Sequence, residues 1–366
     1  MVKLQKLIFA GIIIFLPSQL GLHFWPSWAY VNGIRVDYFS PTLYFTDVLI
    51  LILVILEGAK RPMSKLAAPP LGSIKKMLSL RSSMTIFFIA VFILLNIYFS
   101  YSPSVSIYKW LKVLELGFLV WFITKNLQLT IKNLKFLIIP IFYESILAIW
   151  QFVNQASVGG LWYFLGERTF NSSTPGIANA VINGQMVLRP YGTFPHPNVL
   201  TGFLIITGLI LLKFIPQISR KITALVLVMV IVVLFLTPSR GNLLNGLNIR
   251  QQFNNVAINK WISSPGFGTG LGTSPLYATG VKNYALAHQP THNIYLMLLS
   301  ETGAIGLGFF VFLIIQIFFK IKNLKFKIIL IIILFLGLFD HYWLTLQQGQ
   351  LLLALVLGLS SIIKKS

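Results

Sequence analysis

The chain has 366 residues, 56% of them hydrophobic and only 10% charged, with a mean hydropathy of +0.81. Soluble globular proteins carry roughly 25% charged residues, so this composition excludes an ordinary water-soluble domain and predicts an integral membrane protein. Lys and Arg number 29 against 8 Asp and Glu, a net charge of +21. The cations cluster in short turns between apolar runs, so the excess reads as a positive-inside bias and not as a nucleic-acid-binding face.

Apolar runs of about 17–25 residues mark the expected spans. Met1-Val2-Lys3 followed by Leu7 to Leu16 resembles a signal peptide. It lacks a small-residue cleavage site and is read as a retained first span, Leu7 to Leu22. Trp25, Trp28, Tyr30 and Tyr38 then form an interfacial aromatic belt. The second span is Pro41 to Leu56, the third Met84 to Tyr101, the fourth Tyr108 to Thr124 and the fifth Phe136 to Val153. Basic turns around Lys60–Arg81 and Lys125–Lys135 separate them. Residues 1–153 are therefore expected as a five-span helical region.

Residues 154–366 form the second half of the same membrane domain. A long loop covers 154–197. The sixth span is Asn198 to Phe214 and the seventh Ile222 to Leu236, ending in Thr237-Pro238-Ser239-Arg240-Gly241. A second long loop covers 241–291. The eighth span is Asn293 to Phe319, the ninth Ile328 to Phe339 and the tenth Gln350 to Ile363. The expected fold is thus an all-α polytopic bundle of about ten spans with two long outer loops. Alternating the spans puts both termini and every dense basic turn in the cytoplasm of a cytoplasmic (inner) membrane. Arg189, His196, Arg240, Arg250, His288, His292, Asp340 and His341 then fall on the outer face. No ATP is available there, so chemistry on that face requires a pre-activated, membrane-borne substrate.

Each candidate group has a functional and a bland reading. Arg189 and Arg240 sit where outer loops meet spans, and guanidinium grips phosphate oxygens bidentately. Arg250 is a third outer cation with the same potential. Alternatively, such arginines snorkel to lipid headgroups. The segment from Arg189 to Asn198 contains Pro190, Pro195 and Pro197, which lack an N–H, and Gly192, so it is read as a shaped loop holding a cation and an imidazole. His288 and His292 are four apart, but Pro290 lies between them and no carboxylate is adjacent. With no Cys in the chain either, no metal site is expected. One histidine at a helix start suits general-base work; an interfacial histidine satisfied by backbone is the alternative. Gly266 to Gly272 echoes a dinucleotide fingerprint only loosely, and no strand precedes it. Its N–H groups would suit either an anion nest or a plain turn. Asp47, Glu115 and Glu144 lie within spans, where pairing between helices is favoured over a proton relay.

Taken in order, Arg189-Pro-Tyr-Gly-Thr-Phe-Pro-His-Pro-Asn198, Ser239-Arg240-Gly241, Ser264-Pro265-Gly-Phe-Gly-Thr-Gly270 and Thr291-His292-Asn293…Glu301-Thr-Gly303 resemble the O-antigen ligase/polymerase superfamily. Asp340-His341-Tyr342-Trp343-Leu-Thr345…Gly349 is similar to the C-terminal signature of many bacterial members. The resemblance implies a GT-C-like fold. It implies transfer of a glycan from undecaprenyl diphosphate to a glycan, lipid or protein acceptor, with no nucleotide sugar, metal or other cofactor. It also implies that His292 activates the acceptor hydroxyl, that Arg189 and Arg240 hold the diphosphate with Arg250 nearby, and that His196, Asn198, Asn293, Asp340 and His341 support them. One departure stands out. The family usually carries a helical hairpin after Ser-Arg-Gly, whereas here Gly241-Asn242-Leu-Leu-Asn-Gly-Leu-Asn248 leads straight to Ile249-Arg250. A polymerase of lipid-linked repeats, a transporter or flippase of lipid-linked glycan, and an inactive member lacking that hairpin are the alternatives.

Overall fold

The computed structural model describes residues 2–59, 73–214, 220–237, 243–277, 288–321 and 324–360. Each of the ten apolar runs folds around a helix, and the chain is mostly helical. Helix α1 (Val2–Ile14) ends well before the expected Leu22, because Pro17 cannot continue it. The chain then runs through β1 (Gly21–His23), β2 (Tyr30–Val31), β3 (Ile34–Arg35) and β4 (Thr42–Tyr44) into α2 (Phe45–Gly58). Strand β1 pairs antiparallel with β4, and β2 with β3. The β2–β3 turn is Asn32-Gly33, both at positive φ, which L-residues other than Asn and Asp rarely adopt. Thus part of the expected second span, Pro41 to Tyr44, is a sheet edge and not helix.

Helices α3 (Ser73–Tyr98) and α4 (Pro103–Lys125) follow, then α5 (Leu127–Asn133) and α6 (Ile138–Asn154). The expected loop 154–197 is structured. It holds α7 (Leu161–Leu165) and a hairpin of β5 (Asn179–Ile182) with β6 (Gln185–Leu188), closed by a second Asn-Gly turn at Asn183-Gly184. Next come α8 (Pro197–Phe214) and α9 (Arg220–Leu236). The second expected loop is corrected too: Leu243–Ser263 is helix α10. Ile249, Phe253, Ala257 and Trp261 recur at intervals of four, and Phe253 and Ala257 are buried. A short α11 (Ser274–Tyr277), α12 (Ile294–Lys320), α13 (Leu324–Leu336), α14 (Tyr342–Thr345) and α15 (Gln347–Ser360) complete the chain.

Two of these segments, Leu127–Asn154 and Ile294–Lys320, are long and apolar enough to cross a membrane. The apolar helices Met84–Tyr98, Pro197–Leu212, Ala224–Leu236 and Phe326–Leu336 are shorter. The helices differ in reach, and among the described residues two of them meet the length and hydropathy of a membrane span. One core joins α1, α2, α4, α6, α8, α9, α13 and α15 around Phe9, Phe122, Phe203 and Leu355. Close approach uses glycine: a Cβ on Gly202 of α8 would collide with the Tyr342 hydroxyl, and one on Gly358 of α15 with Ile123 of α4.

Polar contacts collect at two opposite ends of the bundle. At one, Gln5 of α1 donates to Glu57 of α2 (2.8 Å), which pairs with Lys125 of α4 (2.5 Å). At the other lie the strands, α7, α10, α11 and the turns before α4, α8, α12 and α14. There Thr193 Oγ1 lies 3.0 Å from the Pro17 carbonyl, and Tyr101 N donates to Thr269 O (2.8 Å). Of the carboxylates within spans, Asp47 and Glu115 share Lys112, each at 2.7 Å.

Candidate functional site

The proline-rich segment before α8 is held by two side chains of α6 that lie two turns apart. Glu144 accepts from Thr193 N (3.0 Å) and Thr193 Oγ1 (2.6 Å). Gln151 Oε1 accepts from Tyr191 N (2.9 Å) and Gly192 N (2.8 Å). Gly192, at φ 60°, lies so close to Glu144 that a Cβ there would meet its carboxylate. The buried glutamate is thus the anchor of a loop.

That loop fixes Arg189, which is 6% exposed. Its Nε donates to the Thr237 carbonyl (2.6 Å) at the end of α9, and its Nη2 to Asn198 Oδ1 (2.8 Å). Three of the five guanidinium N–H groups make no hydrogen bond within the described residues. Asn198 is accordingly a partner of Arg189. Arg240, three residues beyond Thr237, lies outside the described residues, as do Lys60, Arg61 and Lys65.

Three histidines approach one another from distant parts of the chain. His196 caps α8: its carbonyl accepts from Val199 N (3.0 Å) and Leu200 N (3.3 Å), and its Nδ1 from Asn198 N (3.1 Å). An accepting Nδ1 assigns the proton to Nε2 in the neutral ring. Burial pushes this imidazole down to about 4; Asp340 opposes the shift, and Arg189, His292 and Arg168 add to it. His292 precedes α12, edge-on to His341 with ring centroids 5.0 Å apart, and lies against Phe253 of α10 at 5.4 Å. Its Nδ1 is buried without a hydrogen-bond partner. Burial lowers its pKa, with Asp340 opposing and Arg250 reinforcing, so the ring is neutral near pH 7. His341 is 4% exposed and is held well below the usual histidine range, chiefly by burial and then by His292. Its Nδ1 bonds Thr345 Oγ1 (2.7 Å), and its backbone N donates to Asp340 Oδ1 (2.8 Å).

The structure therefore brings Arg189, His196, Asn198, Arg250, His292, Asp340 and His341 to one end of the bundle. Two sequence expectations change. Asn293 is the N-cap of α12, its Oδ1 accepting from Tyr295 N (3.0 Å) and Leu296 N (3.1 Å), so that oxygen serves the helix and not a ligand. The glycine-rich nest is already filled: Glu301 of α12 accepts from Gly272 N (2.8 Å) and Ser274 N (3.0 Å). His288, at φ 63°, bonds the Pro275 carbonyl through Nδ1 (3.1 Å) and secures the same loop.

Beside the histidines opens a cavity of about 850 Å³. His196 and Thr345 line it, as do Tyr38, Tyr108, Lys109 and Arg168. Arg168 donates from Nη2 to the Pro195 carbonyl (2.6 Å) and lies over Tyr191. Sequence reasoning missed both Arg168 and Lys109. The first sits in a loop with little motif character, and the second inside an apolar run. The site thus combines an unpartnered imidazole nitrogen at His292, an N–H donor at His196 and a guanidinium at Arg189, the group types that serve proton transfer and the stabilisation of an oxyanion. No protein-family model matches the sequence, and no curated relative matches it either.

Proposed function

We propose that the chain is a membrane glycosyltransferase of the O-antigen ligase/polymerase kind. It moves an oligosaccharide from undecaprenyl diphosphate to an acceptor hydroxyl on the outer face of the cytoplasmic membrane. The observation that carries the reading is the convergence of Arg189, His196, His292 and His341 at one end of the bundle, up to 152 positions apart in the chain, with His196 lining a cavity of about 850 Å³.

In this reading His292 Nδ1 takes the acceptor proton while the acceptor oxygen attacks the anomeric carbon. The glycosyl–phosphate bond breaks, and its electron pair leaves on the lipid diphosphate. Arg189 faces that charge with its unengaged N–H groups, and His196 donates from Nε2. Asp340 offsets the imidazolium that forms on His292. Helix α10 stands where the family hairpin is missing and carries Phe253 and Arg250 to His292, which supports an active chain over a remnant.

The test uses the purified full chain in liposomes with undecaprenyl-diphosphate oligosaccharide and a panel of hydroxyl acceptors. Released lipid diphosphate together with glycan on an acceptor is the expected result. A general base contributes about 10²–10⁴-fold, so His292→Ala should cut transfer by that factor while donor binding persists. Lipid movement across the bilayer without bond cleavage would sink the transferase reading. Normal transfer by His292→Ala with loss in His341→Ala would shift the base to His341.

A further inference from the structure

The cavity beside the histidines is lined by two cations, Lys109 and Arg168, that form no ion pair among the described residues. The acidic groups around it have partners of their own, Asp340 accepting from His341 N (2.8 Å). Asp47 and Glu115 share Lys112. Glu167 accepts from Gln151 Nε2 (2.7 Å), Val158 N (2.8 Å) and Gly159 N (2.7 Å). Glu301 lies within electrostatic reach of Lys109, but its oxygens are taken by Gly272 and Ser274. Asp37 sits 3.5 Å from Arg35.

Lys109 lines the cavity yet forms no ion pair or hydrogen bond within the described residues, and its ammonium lies 5.2 Å from the centre of the Tyr108 ring. Arg168, on the loop from the other half of the chain, spends one N–H group on Pro195 and forms no ion pair among the described residues. A cation in a concave site with its donors uncommitted is an anion receptor, because the protein has already met the cost of holding the charge there. The rest of the wall has the aromatic character of a sugar site: Tyr38 and Tyr108 line it, the Tyr108 hydroxyl held by the Thr42 backbone. A volume of about 850 Å³ is near the top of the roughly 300–1,000 Å³ range of ligand pockets, more than one sugar ring needs.

We propose that this cavity recognises an acidic glycan, with Lys109 and Arg168 binding a carboxylate or phosphate borne on the sugar chain. The proposal rests on the transferase reading and adds the substrate class. It assigns these two cations to the glycan and leaves the lipid diphosphate to Arg189.

The test is a binding measurement that needs neither lipid diphosphate nor turnover. A uronic-acid-containing oligosaccharide and its carboxyl-reduced counterpart are titrated into the purified full chain in detergent, followed by calorimetry. Charge-assisted contacts predict at least about tenfold tighter binding of the acidic probe. Lys109→Gln and Arg168→Gln should each reduce that preference several-fold, and Lys109→Arg should keep most of it. Arg168 is exposed, so Arg168→Gln carries the test if Lys109→Gln does not fold. Equal affinity for the two probes, binding of neither, or a preference that survives both glutamine variants overturns the proposal. Acid-selective binding in a chain that never transfers glycan would remove the reaction and leave the receptor standing. Transfer without acid selectivity would do the opposite.

Discussion

Gly303→Ala is expected to cost about 3–5 kcal/mol, and the reason is local. Helix α12 breaks at Gly303, where φ is 67° and ψ is −175°. That region is essentially reserved for glycine, and placing an L-residue there costs about 1–3 kcal/mol. A Cβ would also collide with the Gly266 carbonyl, which is backbone and cannot rotate away. Relieving the collision pushes the glycine-rich loop off the break. Ala304 N→Pro265 O (2.8 Å) would be lost, and Thr269 N→Ser300 O (2.9 Å) weakened. Each such bond contributes about 0.5–1.5 kcal/mol. The control is Gly308→Ala on the same helix, where an added Cβ meets nothing within 4 Å. That change should be neutral or slightly stabilising, since alanine suits a helix interior better. Thermal unfolding in detergent should separate the two variants by on the order of 5–10 °C. If they melt together, the break is not a latch and the account of how the loop is held is wrong.

Acid should destabilise the fold through His196. Its folded pKa of about 4 lies below the ordinary 6.5, so the unfolded chain binds the proton first. This contribution is complete above pH 6.5 and is lost as pH falls toward 4, on the order of 3 kcal/mol in all. His196→Asn keeps an N-cap acceptor and should flatten denaturation midpoints across that window; an unchanged slope would place the acid sensitivity elsewhere. Arg189→Lys conserves charge but cannot hold Thr237 O and Asn198 Oδ1 while presenting further N–H groups, so transfer should fall at least tenfold; full activity would make Arg189 a mere anchor. A cysteine introduced at Ser173 should react with a membrane-impermeant thiol reagent in intact cells, and reaction only after permeabilisation would invert the topology.

Hydropathy located the helices because each span needs a continuous apolar run, and that signal is local. It misplaced their ends. Pro17 marked the stop of α1, yet apolar residues on both sides hid it. Both hairpins were also legible: Val31-Asn32-Gly33-Ile34 and Ile182-Asn183-Gly184-Gln185 are turn signatures that a search for spans passes over. Helix α10 was hidden by its Asn and Gln content, although Ile249, Phe253, Ala257 and Trp261 repeat every fourth residue. In the site, the residue types were readable but their partners were not. Nothing near Asp47 in sequence announces Lys112, which lies 65 positions away. The roles of Glu144 and Glu301 as loop anchors likewise depend on contacts 49 positions distant for the first and 27 and 29 for the second.

Helix α15 closes the molecule over its own beginning. Gln347 donates to Thr46 Oγ1 (3.0 Å) and Gln348 to the Pro17 carbonyl (3.1 Å), across separations of 301 and 331 residues. Just before them, Thr345 fixes the His341 ring against His292. Synthesis proceeds from the N-terminus, and earlier helices insert and pack while later ones are still on the ribosome. The cavity wall supplied by residues 19–44 and the arginine loop before α8 thus exist before their last partners arrive. The histidine cluster is assembled only when the helices that follow Asp340 pack onto the bundle. A nascent chain is therefore without its histidine cluster throughout most of its synthesis, and the completed cluster is also a record that folding has reached α15.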